Sequence, residues 1–198
     1  MKVGSPHGRE PWRYQHFPIA TTDSVGLFIQ HALAQLKPQG RAVVAVPEGF
    51  LFRGGAEREL RRTLLEAGQV EAVVALPVGA YAPHTMLKSC LLVLNKQGGV
   101  SRVRMADAAP FFESRNGRKA PFIRGALAQQ LADEIAKLQL RKPRELPPGI
   151  PEGTPGTGVL SRSVWDLSVD ELAAADWDLT PKKKKKGGLE DLLVGVRE

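Results

Sequence analysis

The sequence predicts an α/β fold, and three observations carry that expectation: short runs apolar at every position, amphipathic stretches between them, and Gly or Pro at the junctions. Runs of the first kind suit strands covered on both faces, whereas the amphipathic stretches repeat with the three-and-four spacing of a helix with one buried side. At 198 residues the chain is long enough to bury one domain core and carry an appendage.

Residues 1–22 hold Gly, Pro, His and aromatics (Trp12, Tyr14, Phe17) without periodicity and read as an irregular loop. Asp23 or Ser24 can cap a helix reaching about residue 37, with Val25, Phe28, Ile29, Ala32, Leu33 and Leu36 as its buried stripe; Pro38 and Gly40 end it. Residues 41–47, Arg-Ala-Val-Val-Ala-Val-Pro, are apolar throughout their interior and are expected to form a central, parallel strand. A second helix at 56–67 turns Leu60, Leu64 and Leu65 inward and its charges outward, with Gly68 as its stop. Residues 70–76 make the next strand, and Pro77 opens a loop with Gly79, Tyr81, Pro83 and His84. Residues 88–96 form a third buried strand, and Gln97-Gly98-Gly99 turns the chain into a short one near 100–105.

Helix, strand, helix, strand, strand is the order of the second half of an α/β sheet, so residues 23–106 are expected to be a partial domain. Residues 107–141 follow as a helical extension, in which a helix at 124–140 sets Leu127, Leu131, Ile135 and Leu138 on one face. The Pro- and Gly-rich stretch 142–160 reads as a flexible linker, and 161–198 as a short tail with a basic run. Ser168 and Glu171 carry a capping-box signature ahead of a short tail helix. The tail is too small to own a core, so it is expected to dock, with Trp165 and Trp177 as anchors.

The net charge of +7 favours an anionic partner, yet five of the positive charges sit together at Lys182, Lys183, Lys184, Lys185 and Lys186. That run can contact DNA phosphates or stand as a solvated stretch between Pro181 and Gly187. Cys90 is the only cysteine, which rules out an intramolecular disulfide and a cysteine-based metal cluster. The apolar runs are far too short to cross a bilayer, and the expectation is a soluble, cytoplasmic protein without a membrane partner.

Three patterns resemble the latter half of the methyltransferase domain of type I restriction-modification M subunits. They are Leu36-Lys-Pro-Gln-Gly-Arg-Ala-Val-Val-Ala-Val-Pro-Glu-Gly-Phe-Leu-Phe52, then Leu60-Arg-Arg-Thr-Leu-Leu65, then Leu76-Pro-Val-Gly-Ala-Tyr-Ala-Pro-His-Thr85 leading into Ser89-Cys-Leu-Leu-Val-Leu-Asn-Lys96. Leu167-Ser-Val-Asp-Glu-Leu172 and Asp176-Trp-Asp-Leu-Thr-Pro181 are similar to the stretch that follows the catalytic domain in those subunits. The resemblance implies the C-terminal half of a Rossmann-like, S-adenosylmethionine-dependent sheet, in which the methyl donor lies over strands upstream of this segment. It also implies adenine-N6 methylation of a base swung out of the duplex against an Asn/Asp-Pro-Pro-Tyr/Phe tetrapeptide.

No such tetrapeptide occurs in the sequence: Pro147-Pro148 follows Leu146 and precedes Gly149. Nor are Gly54-Gly55, Gly98-Gly99 or Gly187-Gly188 expected to follow a strand and open a helix, as a donor-binding turn requires, so no cofactor-binding residue is assigned. The resemblance implies that Tyr81 is the aromatic lying against the extruded adenine, and Pro47, Glu48 and Gly49 line the site where a strand ends. His7 and His84 are read as surface residues and Cys90 as a small apolar side chain, since transfer to an adenine amino group needs neither. The reading is a fragment silent on its own for want of the donor turn and the tetrapeptide. Its implied partners are DNA, an N-terminal methyltransferase half, and the specificity and restriction subunits. The alternative is a non-catalytic DNA-binding or assembly module of such a complex, using the basic tail and the helix at 124–140.

Overall fold

Asp23 starts the first helix by accepting the Val25 amide on its Oδ1 at 2.8 Å, and α1 runs Ser24–Gln35. The computed structural model describes residues 17–113, 121–136 and 163–182. Of the expected N-terminal loop only residues 17–22 fall within it, and the linker at 142–160, Leu138 and Lys183 to Lys186 lie outside. Ile29 and Leu33 of α1 are buried as expected, and Gln30 between them holds the incoming chain: its amide donates to the Ile19 carbonyl at 3.0 Å and accepts the Ile19 N–H at 2.9 Å. Phe28 departs from the expected stripe and is 60% exposed. It sits about 100° around the helix from Ile29, beyond the buried face.

Strand β1 (Arg41–Pro47) leads into a 3-10 turn, Glu48–Leu51, and then into α2 (Ala56–Glu66). β2 (Val70–Ala75), β3 (Ser89–Asn95) and β4 (Arg102–Asp107) follow, then a two-stranded piece of β5 (Phe112–Glu113) and β6 (Phe122–Ile123). α3 (Gly125–Ala136), β7 (Val164–Ser168) and α4 (Val169–Ala174) complete the described chain. Ser168 and Glu171 make the capping box reciprocally, as the sequence suggests. β7, by contrast, is absent from the sequence reading, which treats its residues as part of the docking tail.

The main sheet has the order β1-β3-β2-β4-β7. β1 and β2 both lie antiparallel to β3 between them, β2 and β4 are parallel, and β7 is antiparallel to β4. β1 is therefore neither central nor hydrogen-bonded to a parallel neighbour among the described residues; it is the end strand, paired with β3 from Arg41 opposite Asn95 to Pro47 opposite Ser89. Its all-apolar run is misleading because only Val44 and Val46 enter the core, while Val43 on the other face is 63% exposed.

Two apolar layers cover the sheet. On one face α1, α2 and the tail close over Val44, Val46, Leu92, Leu94, Val73 and Met105, with Leu60, Leu64, Leu65, Leu172 and Leu179. On the other, α3 brings Leu127, Leu131 and Ile135 onto Val74, Leu76, Ala106 and Phe111. Trp165 and Trp177 pack against the first layer, so the tail docks through them and by adding β7 to the sheet. Gly68 ends α2's turn at φ 64°, where a Cβ would lie 2.4 Å from the Val100 nitrogen. No described helix is long and apolar enough to cross a membrane.

Candidate functional site

Because β1 and β2 run the same way on either side of β3, their carboxyl ends share one edge of the sheet. That edge is where open α/β sheets place ligands. Pro47 ends β1 opposite Ser89, and Leu76, just past β2, donates its N–H to the Ser89 carbonyl at 3.0 Å. The turn after β1 and the loop after β2 thus flank the start of β3. α1 begins near the same edge, since Asp23 lies 3.7 Å from the guanidinium of Arg53.

Glu48 meets Lys88 twice: its N–H donates to the Lys88 carbonyl at 3.1 Å, and its Oε1 accepts from Lys88 Nζ at 2.5 Å. The hydrogen bond to Glu48 raises the Lys88 pKa above its ordinary value. Gly49 accepts the Phe52 and Arg53 amides, and a Cβ on it would come 3.1 Å from Arg53 Nε, so the Arg53 side chain folds back over the turn. Phe50 and Leu51 plunge into the core and anchor the turn from below.

Tyr81 lies in the loop after β2, 37% exposed, with its carbonyl accepting the His84 and Thr85 amides at 2.9 and 3.2 Å. Val78, Met86 and Leu87 stand exposed in or beside the same loop. The sequence-derived residues Pro47, Glu48, Gly49 and Tyr81 therefore share one edge, and Lys88 joins them. Lys88 was legible only through strand register: with Pro47 opposite Ser89, the next cross-strand pair is Glu48 with Lys88.

Lys182 belongs to the docked tail and is ion-paired with Asp178 at 2.5 Å. Burial pushes the Cys90 thiol up from 9.0 to about 11, which leaves it protonated and inert near neutral pH. Among the described residues no group of three His, Cys, Asp or Glu side chains gathers to hold a metal.

Of the three glycine pairs, Gly54-Gly55 and Gly98-Gly99 fall within the described residues and Gly187-Gly188 lies outside them. Gly98 packs so tightly that a Cβ would fall 2.3 Å from the Ala67 carbonyl oxygen, which identifies Gly98-Gly99 as part of a turn-to-turn contact. Gly54-Gly55 corrects the sequence reading, because it does lie between a strand and a helix, with Gly55 as the N-cap of α2 at φ 71°. The segment before it is filled by the buried Phe50 and Leu51, and Glu57 and Glu59 occupy the first turn of α2.

The family model for N-6 DNA methylases matches residues 7–188. The methylase subunit of the type I restriction enzyme EcoEI from Escherichia coli is 32% identical over 84 residues, covering 41% of this chain and 17% of that subunit. The EcoKI methylase subunit from Escherichia coli strain K12 is 39% identical over 65 residues, covering 33% of this chain and 12% of that one. The matches thus cover less than a fifth of the curated relatives. A type I restriction-modification methyltransferase subunit from Streptococcus thermophilus superposes with a TM-score of 0.69 at 21% identity, over 91% of this chain and 35% of that chain. The EcoKI M protein superposes with a TM-score of 0.63 at 21% identity, over 90% and 41%. Those two likenesses show a common fold, a mixed α/β sheet of the methyltransferase kind. With a family match running through nearly the whole sequence, the chain belongs to the N-6 DNA methylase family.

Proposed function

We propose that this chain is the base-facing, C-terminal part of the methyltransferase domain of an adenine-N6 DNA methyltransferase from a type I restriction-modification system, and that the 198 residues are catalytically silent without an upstream half. The observation that carries the reading is the state of β1: an end strand whose outer edge is unpaired among the described residues and whose Val43 face is open. An apolar strand edge of this kind recruits another strand or aggregates. The chain upstream of α1 folds back along that helix, where Phe17 stacks on His31 and Gln30 holds Ile19, so the residues before Phe17 would arrive beside α1.

In this reading Tyr81 presents its ring to the extruded adenine, and base–aromatic stacking is worth about 1–3 kcal/mol. The Glu48–Lys88 pair ties the Tyr81 loop to the turn after β1 and fixes the width of the wall. The upstream half would hold S-adenosylmethionine, which supplies the transferable methyl group, and would carry the Asn/Asp-Pro-Pro-Tyr/Phe acceptors that orient the amino nitrogen. Lys182 to Lys186 would add salt-dependent phosphate contacts. Assembly with specificity and restriction subunits, which would deliver sequence choice and cleavage, belongs to the same proposal.

Co-expression with the upstream methyltransferase half tests it. The expected results are a soluble complex that methylates adenine and an isolated chain that aggregates at a few micromolar. An isolated chain that is a stable, monodisperse monomer, and remains so when the half is supplied, would count against the reading.

A further inference from the structure

Arg61 is 1% exposed in the middle of α2, among Leu60, Leu64 and Leu65. Its guanidinium donates through Nη1 to the Phe50 carbonyl at 2.7 Å and through Nε to the Trp177 carbonyl at 2.8 Å. One acceptor lies in the turn that follows β1 at the candidate site; the other lies in the tail, 116 residues further along the chain than Arg61. Next to this junction the Leu179 N–H donates to the Leu51 carbonyl at 2.9 Å, so a direct bond and the Arg61 bridge join tail and turn within a few residues.

A buried cation is costly unless its donors are satisfied. Burial lowers the pKa of Arg61, and the charges that counter this, led by Asp178, include Asp176 on the tail and Glu57 on α2. Undocking the tail would strand the Nε donor and remove two of those carboxylates. Asp176 and Trp177 also stand at φ 57° and 61°, a left-handed conformation that ordinary side chains adopt at a cost. Arg58 makes an exposed ion pair with the Asp176 side chain at 2.5 Å, and Arg61 binds the Trp177 carbonyl. The bend closes α4, with the Trp177 N–H donating to the Leu172 carbonyl at 2.8 Å and the Asp176 N–H to the Ala173 carbonyl at 3.1 Å, and it turns the Trp177 carbonyl to the guanidinium that also binds the Phe50 carbonyl.

We propose that Arg61 is a positioning residue that couples docking of the C-terminal tail to the conformation of the Glu48–Leu51 turn, so that the tail is part of the support of the candidate site. That the supported turn faces a substrate base rests on the proposed methyltransferase role; the coupling itself does not.

Hydrogen exchange on the full 198-residue chain, held at submicromolar concentration below the range where it is expected to aggregate, tests it, with Arg61→Met, Arg61→Lys and, as a control, Arg58→Met, which breaks the neighbouring exposed pair alone. The amides of Phe52 and Arg53 report the turn, Leu179 reports the junction, and Val73 and Leu92 report the sheet centre. Arg61→Met is expected to speed exchange about tenfold or more at Phe52, Arg53 and Leu179, leave Val73 and Leu92 unchanged, and be mimicked in part by Arg61→Lys but not by Arg58→Met. Unchanged exchange at Phe52 and Arg53 would overturn the coupling. So would uniform acceleration at all five amides, which would make Arg61 an anchor of the whole core. Should Arg61→Met lose its cooperative melt, Arg61→Lys is read by the same criterion, and failure of both to fold also counts against the proposal. Because no methylation is measured, a negative result here leaves the methyltransferase reading standing.

Discussion

Tyr81 carries a flat aromatic ring in the Gly- and Pro-containing loop after β2 and is 37% exposed. In the methyltransferase reconstituted with its upstream half, Tyr81→Ala is expected to weaken binding of an extruded-adenine substrate about tenfold or more, while Tyr81→Phe stays within about twofold, since both rings stack. Fluorescence of 2-aminopurine at the target position measures this, and equal effects of the two variants would sink the stacking role. Cys90 makes a different residue-scale claim. Its thiol titrates near 9.0 when unfolded and at about 11 when folded, so the folded state holds the proton more tightly. The resulting stability is complete below pH 9 and disappears as pH rises through 11, a swing of roughly 3 kcal/mol. The stability difference between the natural chain and Cys90→Ala, followed by urea unfolding, is expected to shrink over that window and to be flat from pH 6 to pH 8. The thiol's inertness was legible from its place in an apolar run; Arg61 was not read as buried, although standing three and four residues before Leu64 and Leu65 puts it in the same stripe.

Helix and strand identities were largely legible because burial periodicity differs between them, and the ends followed from Asp23, Pro38, Gly68 and Ser168. What escaped is pairing. An all-apolar run such as β1 has no preferred face in its sequence, so neither its antiparallel partner nor its end position could be read from it. β7 escaped because five residues of mixed polarity, all half-buried, form a strand only by adding to β4. The turn between α2 and β2 tests the packing at this scale. Gly68→Ala places a Cβ against the Gly99 and Val100 backbone at a positive φ and is expected to lower stability by about 2 kcal/mol or more. Gly54→Ala, with nothing within 4 Å of the added carbon, is expected to change it by less than about 0.5 kcal/mol. Equal losses in urea unfolding would show that the close approach of the two turns does not contribute as described.

Among the described residues the main sheet ends in β1 on one side and in β7 on the other. β7 is half-buried along its length, whereas β1 leaves an apolar face open at Val43 and an edge without a described neighbour. Val43→Lys is expected to keep the isolated chain in solution and to block its association with the upstream half, because a charge on that face serves the monomer and opposes burial. Light scattering and co-purification read the two effects, and a Val43→Lys chain that still assembles would show that the half docks elsewhere. In the proposed reading, the site edge and the open strand serve a methyltransferase completed by an upstream half. The most direct measurement is transfer of labelled methyl from S-adenosylmethionine to adenine in DNA, made with the purified 198-residue chain alone and again with the upstream half added. Label is expected only in the second case; label in the first, or none in either with a folded complex in hand, would contradict the division of labour between the halves.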